Sequence, residues 1–248
     1  MKIWTFIIFT LILVSGGQAE ETLPKKWDPI IRTHDGHDLR CTYYQPATDT
    51  INIDAKAVIL VHMLGGDKED WNTLPEKLSK EGLAVLVLEL RGHSKPINKR
   101  DHWKYYEKKE FASMVHDITA AKEWLKKRKK VHIEKFALCG ARFGANLCLN
   151  AMKDDDELLA AYCLSPANSY RQLAVDYSLE GIKDRPLKLV CSSADLISAP
   201  SLEQFKKEAD VETEILKSTH ATQNQGTELL RSHDDLEGKI VDWLKANF

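Results

Sequence analysis

The segment LCGARFGAN, residues 138–146, has the residue types of a strand that turns sharply into a helix. Gly140 and Gly144 stand two positions before and after the central residue, where small residues let a strand and a helix cross closely. In the G-x-S-x-G pattern, the central residue is a serine that attacks a carbonyl carbon. Here it is Arg142, and a guanidinium has a pKa above about 12 and no usable lone pair. Ordinary acyl-enzyme chemistry is therefore excluded at this position.

The rest of the chain predicts the elements that must position this turn. From residue 57 onward, apolar runs of strand length alternate with amphipathic stretches of helix length, which is typical of βα units in a parallel sheet. The predicted strands lie at 57–62, 83–90, 135–140, 160–165, 187–193 and 211–217. Before them, residues 27–47 read as two strands joined at Asp35-Gly36, a strong signal for an antiparallel hairpin.

These patterns together predict a single α/β domain over residues 27–248. We expect a mostly parallel twisted sheet with an N-terminal antiparallel hairpin and helices on both faces. The segment between the predicted strands 160–165 and 187–193 is too short for a large helical cap, so the cleft is expected to be open. Its candidate wall residues are Tyr170, Arg171, Tyr177 and the aromatic stretch 101–111.

Five segments in a fixed order carry a family resemblance. They are ILVHMLGGDKEDW, VLVLELRGHSKP, the LCGARFGAN turn, LVCSSADLISAP and KSTHATQNQ. On these segments the chain resembles the α/β-hydrolase superfamily over nearly all of residues 27–248, and within it a small, lid-poor member of the esterase or dienelactone-hydrolase type. The resemblance implies an α/β-hydrolase fold in which LCGARFGAN is the nucleophile elbow.

The resemblance also implies roles for four further residues. Asp195 matches the position of the triad acid and His220 that of the triad base, in the chain order that this fold uses. In a working triad the carboxylate orients the imidazole, and the imidazole accepts the proton of the nucleophile. The backbone N–H groups of Met63 and Phe143 match the oxyanion hole.

The residue at the elbow centre leads to the first hypothesis on function. Loss of the nucleophile costs a serine hydrolase about 10⁶-fold in kcat, so we expect an inactive or severely impaired hydrolase. A guanidinium, a helix N-terminus and two oxyanion donors in one place favour binding of a small carboxylate or phosphate. In the alternative arrangement, Arg142 turns aside and forms an internal ion pair with Asp195.

A second hypothesis keeps the chain an active esterase-like hydrolase of small acyl esters. Another nucleophile would then act, and the candidates near the site are Cys139, Ser192, Ser193 and Thr219. His220 activating water directly is a further route. A third interpretation is a recent substitution at position 142, because serine and arginine codons can differ by a single base.

The first residues predict export. Lys2, the apolar run 3–14 and the small residues Gly17 and Ala19 are typical of a signal peptide over 1–19, cleaved after Ala19. We therefore expect a secreted or periplasmic protein without a stable membrane span after cleavage. The alternative is an anchor formed by the uncleaved segment, although the apolar run is short for a bilayer.

Composition limits the remaining classes of partner. Basic and acidic residues are interspersed at a formal net charge of -2, which excludes a nucleic-acid-binding stripe. The five cysteines lack the spacing of a zinc or haem motif and are expected to be buried, with a Cys163–Cys191 disulfide as the alternative. No cofactor and no metal is predicted, and the expected partner is a small-molecule ligand.

Overall fold

The computed structural model of the protein describes residues 25–47, 53–94, 99–128, 131–218 and 224–248. The predicted signal peptide, with its cleavage site at Ala19, lies outside the described residues. Within the described ranges, no helix is long and apolar enough to span a membrane.

The described chain forms one large twisted sheet and one small one. The strands are β1 Lys26–Trp27, β2 Ile30–Arg32, β3 Asp38–Tyr44, β4 Ile53–Val61, β5 Ala84–Leu88, β6 Val131–Ala141, β7 Leu158–Leu164, β8 Ser169–Tyr170, β9 Leu173–Ala174, β10 Leu187–Ser192 and β11 Glu212–Leu216. The large sheet has the order β1-β3-β5-β4-β6-β7-β10-β11, and β2 pairs with β3. Strands β8 and β9 pair only with each other, in a small hairpin that the sequence patterns did not predict.

The predicted mixture of parallel and antiparallel pairing is confirmed. All pairings from β5 to β11 along the large sheet are parallel, whereas β3 is antiparallel to β1, β2 and β5. The hairpin between β2 and β3 turns through Gly36, which has the positive φ of 94° that the predicted turn favours. Strand β5 ends at Leu88, two residues before the predicted end, and the Leu90 N–H donates to the His62 imidazole instead of to a strand.

Helices cover both faces of the sheet, as predicted. They are α1 Leu74–Lys80, α2 Lys108–Ser113, α3 Val115–Lys126, α4 Phe143–Lys153, α5 Ser198–Ala209, α6 Leu229–Ser232 and α7 Leu236–Asn247. Side chains of the central strand β4 alternate between the two faces: Ile59 packs among the residues of α2 to α5, and Leu60 packs among those of α1, α6 and α7. Since both faces are buried, the central strands read as continuous apolar runs in the sequence.

The five cysteines are all buried free thiols. They are Cys41, Cys139, Cys148, Cys163 and Cys191. The expectation that they act as small core residues is confirmed, and the alternative Cys163–Cys191 disulfide does not form in this structure.

Candidate functional site

The turn at residues 138–146 has the backbone geometry of a nucleophile elbow. Strand β6 ends at Ala141, Arg142 follows with φ 50° and ψ −112°, and α4 begins at Phe143. A positive φ is strained for a residue with a side chain, so the surrounding contacts must hold it. They include a 2.7 Å hydrogen bond from the Arg142 N–H to the Leu164 carbonyl oxygen of the adjacent strand. The Phe143 N–H opens the helix, where no intrahelical acceptor exists for it.

The two glycines of the elbow are required by close backbone contacts. A Cβ at Gly144 would lie 2.3 Å from the Val61 carbonyl oxygen and 2.5 Å from that of His62. A Cβ at Gly140 would lie 2.6 Å from the Cα of Ala145. The start of α4 therefore presses directly on the ends of β4 and β6, as the spacing of the two glycines predicts.

A buried histidine holds the loop that follows β4. We call residues 63–66 the oxyanion loop, because the predicted oxyanion donor Met63 lies in it. The Nε2 atom of His62 accepts a hydrogen bond from the Leu90 N–H at 3.0 Å, so Nδ1 carries the proton and donates to the Met63 carbonyl oxygen at 2.8 Å. Burial lowers the pKa of His62 to about 4, which keeps the ring neutral. The loop that begins at Met63, whose N–H is the predicted oxyanion donor, is thus tied to the turn after β5 through its carbonyl oxygen.

A second histidine extends this support. The Nε2 atom of His93 accepts from the Gly65 N–H at 3.1 Å, and its Nδ1 lies 3.2 Å from the Arg91 carbonyl oxygen. Its ring stacks on Trp103 with 5.5 Å between the ring centroids. Burial is also the main cause that lowers the pKa of His93, to about 3. Two neutral imidazoles therefore connect the oxyanion loop to the turn after β5.

Asp195 is the residue predicted to be the triad acid. It follows β10 and is fully buried, and its Oδ1 accepts from the N–H groups of Ile197 at 3.1 Å and Ser198 at 3.0 Å. Its Oδ2 has no hydrogen-bond partner among the described residues. His220, the predicted base, lies outside the described residues, and so does Thr219. Hydrogen bonds to Oδ1 thus orient the carboxylate, and Oδ2 can accept a further hydrogen bond.

The structure removes the alternative in which Arg142 and Asp195 form an ion pair. No salt bridge joins them, although both residues are described, and the buried Oδ2 of Asp195 is unpartnered. The Arg142 guanidinium instead lies over the face of Tyr170, with 5.2 Å from its Cζ to the ring centroid. Its stem packs on Gly226, where an added Cβ would lie 3.0 Å from the Arg142 Cγ and 3.1 Å from the Met63 Sδ. These neighbours hold the stem and the charged end of the side chain.

A cavity of about 350 Å³ opens over the elbow. Its lining residues are two arginines and a set of apolar and aromatic side chains: Arg142, Arg171, Met63, Leu64, Trp103, Phe143 and Tyr170. Of the predicted wall residues, Tyr177 is not among them and packs on Phe205, with 4.9 Å between the ring centroids. Since no lining residue is an aspartate or a glutamate, the cavity is positively charged.

Three of the four candidate nucleophiles lie in the described part of the chain, and none of these three lines the cavity over the elbow. Cys139 is buried on β6, and burial raises the pKa of its thiol well above the usual value. The hydroxyl oxygen of Ser192 accepts from the Ala194 N–H at 3.2 Å, and that of Ser193 accepts from the Ser218 N–H at 3.0 Å. These three residues therefore have structural roles.

Two serines at the site were missed by the sequence reasoning. Ser165, after β7, adopts φ 52°, and its hydroxyl oxygen accepts from the Gly226 N–H at 3.0 Å. Ser198, at the start of α5, lies 3.0 Å from the Tyr170 hydroxyl, which also donates to the Ser165 carbonyl oxygen at 3.0 Å. A tyrosine hydroxyl has one proton, so the Ser198 hydroxyl is the donor to Tyr170. No motif marks either serine, because both roles arise between segments distant in the chain.

Comparisons with known proteins agree with this geometry. The chain is similar in structure to a dienelactone hydrolase from Anabaena variabilis, with a TM-score of 0.68, 14% identity and coverage of 92% of this chain and 100% of the other. An esterase from Pyrococcus furiosus matches with a TM-score of 0.64, 16% identity and coverage of 90% and 91%. At these identities the likeness establishes the α/β-hydrolase fold alone. A search among curated protein sequences returns no match.

A family model gives the more specific result. The model described as "Dienelactone hydrolase family" matches residues 42–209, which is more than half of the chain. The match contains the oxyanion loop, the elbow and Asp195, in the arrangement described above. This chain belongs to the dienelactone hydrolase family of the α/β-hydrolase superfamily.

Proposed function

We propose that this chain is an exported member of its family that has lost acyl-enzyme chemistry and binds a small carboxylate or phosphate at the former nucleophile position. One observation carries the proposal: the elbow backbone presents Arg142 to the cavity, and no carboxylate of the described residues pairs with it. The proposal of export rests on the amino-acid sequence of the predicted signal peptide, which lies outside the described residues.

The charge around the elbow supports an anionic ligand. Neither Arg142 nor Arg171 forms an ion pair within the described part of the chain, and both line the cavity. The N-terminus of α4 adds the Phe143 N–H, for which the helix itself has no acceptor, and the positive end of the helix dipole. A carboxylate or phosphate at this place would accept charge-assisted hydrogen bonds from all three groups.

The cavity walls favour a ligand that also has a flat apolar part. Arg142 lies over the ring of Tyr170, and the Cζ of Arg171 lies 5.9 Å from the centroid of Trp103. Aromatic faces beside guanidinium groups provide surfaces for stacking a planar group next to the anion site. Small unsaturated or aromatic carboxylates and phosphates therefore fit better than long lipids.

A thermal-shift experiment tests the binding site. The mature protein is heated with benzoate, succinate, inorganic phosphate and phenyl phosphate in turn, at fixed ionic strength. A bound anion raises Tm, because it binds the folded state only. The shift should disappear in Arg142→Ala and remain in Arg32→Ala, which removes an exposed arginine paired with Asp38. A shift that is equal in both variants, or no shift with any anion, contradicts the proposal.

An activity experiment tests the loss of chemistry. The wild-type protein should hydrolyse short p-nitrophenyl esters no faster than the background rate and should not react with a fluorophosphonate. Arg142→Ser restores the nucleophile in a backbone that already has the elbow geometry, so it should gain both esterase activity and labelling. Adding His220→Ala to Arg142→Ser should remove the gain, since the serine then lacks its base.

One observation favours a second function, hydrolysis by water that His220 activates. The buried Oδ2 of Asp195 is available to accept a hydrogen bond from an imidazole. In this alternative the wild-type protein hydrolyses small acyl esters, and the activity disappears in His220→Ala while fluorophosphonate labelling stays absent. That result would replace the proposal of an inactive enzyme and leave the anion site to be tested separately.

A further inference from the structure

A cluster of metal-ligating side chains lies outside the cleft, where the hairpin between β2 and β3 meets α3. His34 and Asp35 come from the hairpin turn, and His116 is the second residue of α3. One ligand atom from each residue can be chosen so that all three lie within 4.8 Å of one another. The Nδ1 of His116 is 3.3 Å from the Oδ2 of Asp35, and the two imidazole rings lie 4.4 Å apart between centroids.

We propose that His34, Asp35 and His116 form a surface site for a borderline divalent cation, with Zn²⁺ as the best candidate. Two imidazoles and one carboxylate are a donor set that Zn²⁺, Co²⁺ and Ni²⁺ accept, whereas Mg²⁺ and Ca²⁺ prefer oxygen donors. Donor atoms around tetrahedral Zn²⁺ are about 3.3 Å apart, given bonds of about 2.0 Å. The donor atoms lie within 4.8 Å of one another, so binding requires the exposed His34 side chain to move closer, and water would complete the coordination.

The carboxylate of the cluster is held in place by a buried arginine. Arg91 donates from Nη1 to the Oδ2 of Asp35 at 2.6 Å and from Nη2 to Oδ1 at 3.0 Å. Ligating carboxylates are commonly fixed by such outer hydrogen bonds, which orient the oxygen lone pairs that remain for the metal.

The local charge favours a cation in spite of the guanidinium. Arg91 also donates from Nε to the Oδ1 of the buried Asp117 at 2.6 Å, and its backbone N–H donates to Oδ2 at 2.9 Å. One guanidinium therefore faces two carboxylates, which leaves one net negative charge beside two imidazoles. A divalent cation on the solvent-exposed side of the cluster is attracted by this excess.

Calorimetric titration of the tag-free protein with Zn²⁺ tests the site, at a pH near about 7.5, where imidazole is neutral and free to ligate. The expected result is one Zn²⁺ per chain, bound at least about tenfold more weakly in His34→Ala and in His116→Ala. His132→Ala is the matched control, because His132 is an exposed histidine 3.3 Å from the carboxylate of Glu134, and the search of the described residues places it in no ligand cluster. It should leave the affinity unchanged.

Cobalt provides a readout that does not depend on affinity alone. Co²⁺ bound by the wild-type protein should give visible absorption bands that Zn²⁺ displaces and that both cluster variants lose. Circular dichroism verifies that the variants, which change solvent-accessible side chains, keep the fold. Absence of Zn²⁺ binding by the wild-type protein, or equal affinity in the cluster variants and the wild type, overturns the proposal.

Discussion

Two arginines follow two strands on either side of β4, and their surroundings differ sharply. Arg91, after β5, is 4% exposed, and its guanidinium is bound by the carboxylates of Asp117 and Asp35. Arg142, after β6, is partly buried, lies over Tyr170 and has no carboxylate partner in the described residues. The same residue type is therefore neutralised by the protein at one strand end and left open to the cavity at the other.

This difference separates a structural role from a binding role. A buried charge is costly unless it is paired, so the two carboxylates at Arg91 explain its presence within the fold. No such explanation exists for Arg142, which also has a strained backbone at φ 50°. A strained backbone and an unpaired charge that face a cavity are typical of a ligand site. We therefore infer that the partner of Arg142 is a bound ligand.

Replacing each arginine with leucine tests most directly whether the two residues have different roles. Arg91→Leu leaves the buried Asp117 without its partner and should cost about 3–5 kcal/mol in free energy of unfolding. Arg142→Leu removes no ion pair and should change the free energy of unfolding by less than about 1 kcal/mol. Urea unfolding measures both values, and equal costs would show that Arg142 is also a structural residue.

A substitution that disturbs the elbow backbone should destabilise the protein more than a substitution of the Arg142 side chain. Gly144→Ala places a Cβ against two carbonyl oxygens of the β4 end and should cost about 1–3 kcal/mol, as overpacking does. Gly238→Ala, on the exposed face of α7 with no atom within 4 Å of the added Cβ, should stabilise by about 0.5–1 kcal/mol. If Gly144→Ala is as stable as the wild type, the elbow is not locked by these contacts.

The sequence predicted the parts of the site that depend on local chemistry. Gly140 and Gly144 indicated the elbow, because close crossing of a strand and a helix excludes larger residues at just these positions. The alternation of apolar and amphipathic segments predicted the parallel sheet, and Asp35-Gly36 predicted the hairpin. Each of these signals is contained in a few neighbouring residues, so it can be recognised without knowledge of the tertiary structure.

The orientation of Arg142 was not predictable in the same way. Both the ion pair with Asp195 and the open arrangement were consistent with the sequence. The outcome depends on Tyr170 and Gly226, which lie far from the elbow in the chain and contact the guanidinium and its stem. The pairing of Arg91 with Asp35 and Asp117 likewise joins three segments that no motif links.

The buried His62 and the partly buried His93 should make the free energy of unfolding depend on pH. An unfolded histidine has a pKa of about 6.5, whereas burial lowers that of His62 to about 4. The stability that the neutral ring provides is complete above the unfolded pKa and is lost as the pH falls toward the folded pKa, because the unfolded chain binds the proton first. At pH 5 the loss should be about 2 kcal/mol from His62, with a smaller loss from the more accessible His93.

Urea unfolding at several pH values measures this slope. His62→Gln keeps polar atoms near Leu90 and Met63 but has no titratable ring, so its stability should fall less between pH 7 and pH 5. The exposed His132→Ala should keep the slope of the wild type. An identical slope in His62→Gln would mean that other groups cause the loss at acid pH.

The smallest predicted effect distinguishes the ring of Tyr170 from its hydroxyl. Tyr170→Phe keeps the aromatic face under Arg142 but removes the hydrogen bonds to the Ser165 carbonyl oxygen and the Ser198 hydroxyl. We expect a cost of about 1–2 kcal/mol in free energy of unfolding, because two hydrogen bonds of about 0.5–1.5 kcal/mol net are lost, with an unchanged thermal shift by anions. Tyr170→Leu should weaken that shift as well, because it also removes the face against which the guanidinium lies. If Tyr170→Phe abolishes the anion response while the fold persists, the hydroxyl itself contacts the ligand, and the cavity recognises its anion through a neutral donor as well as through its arginines.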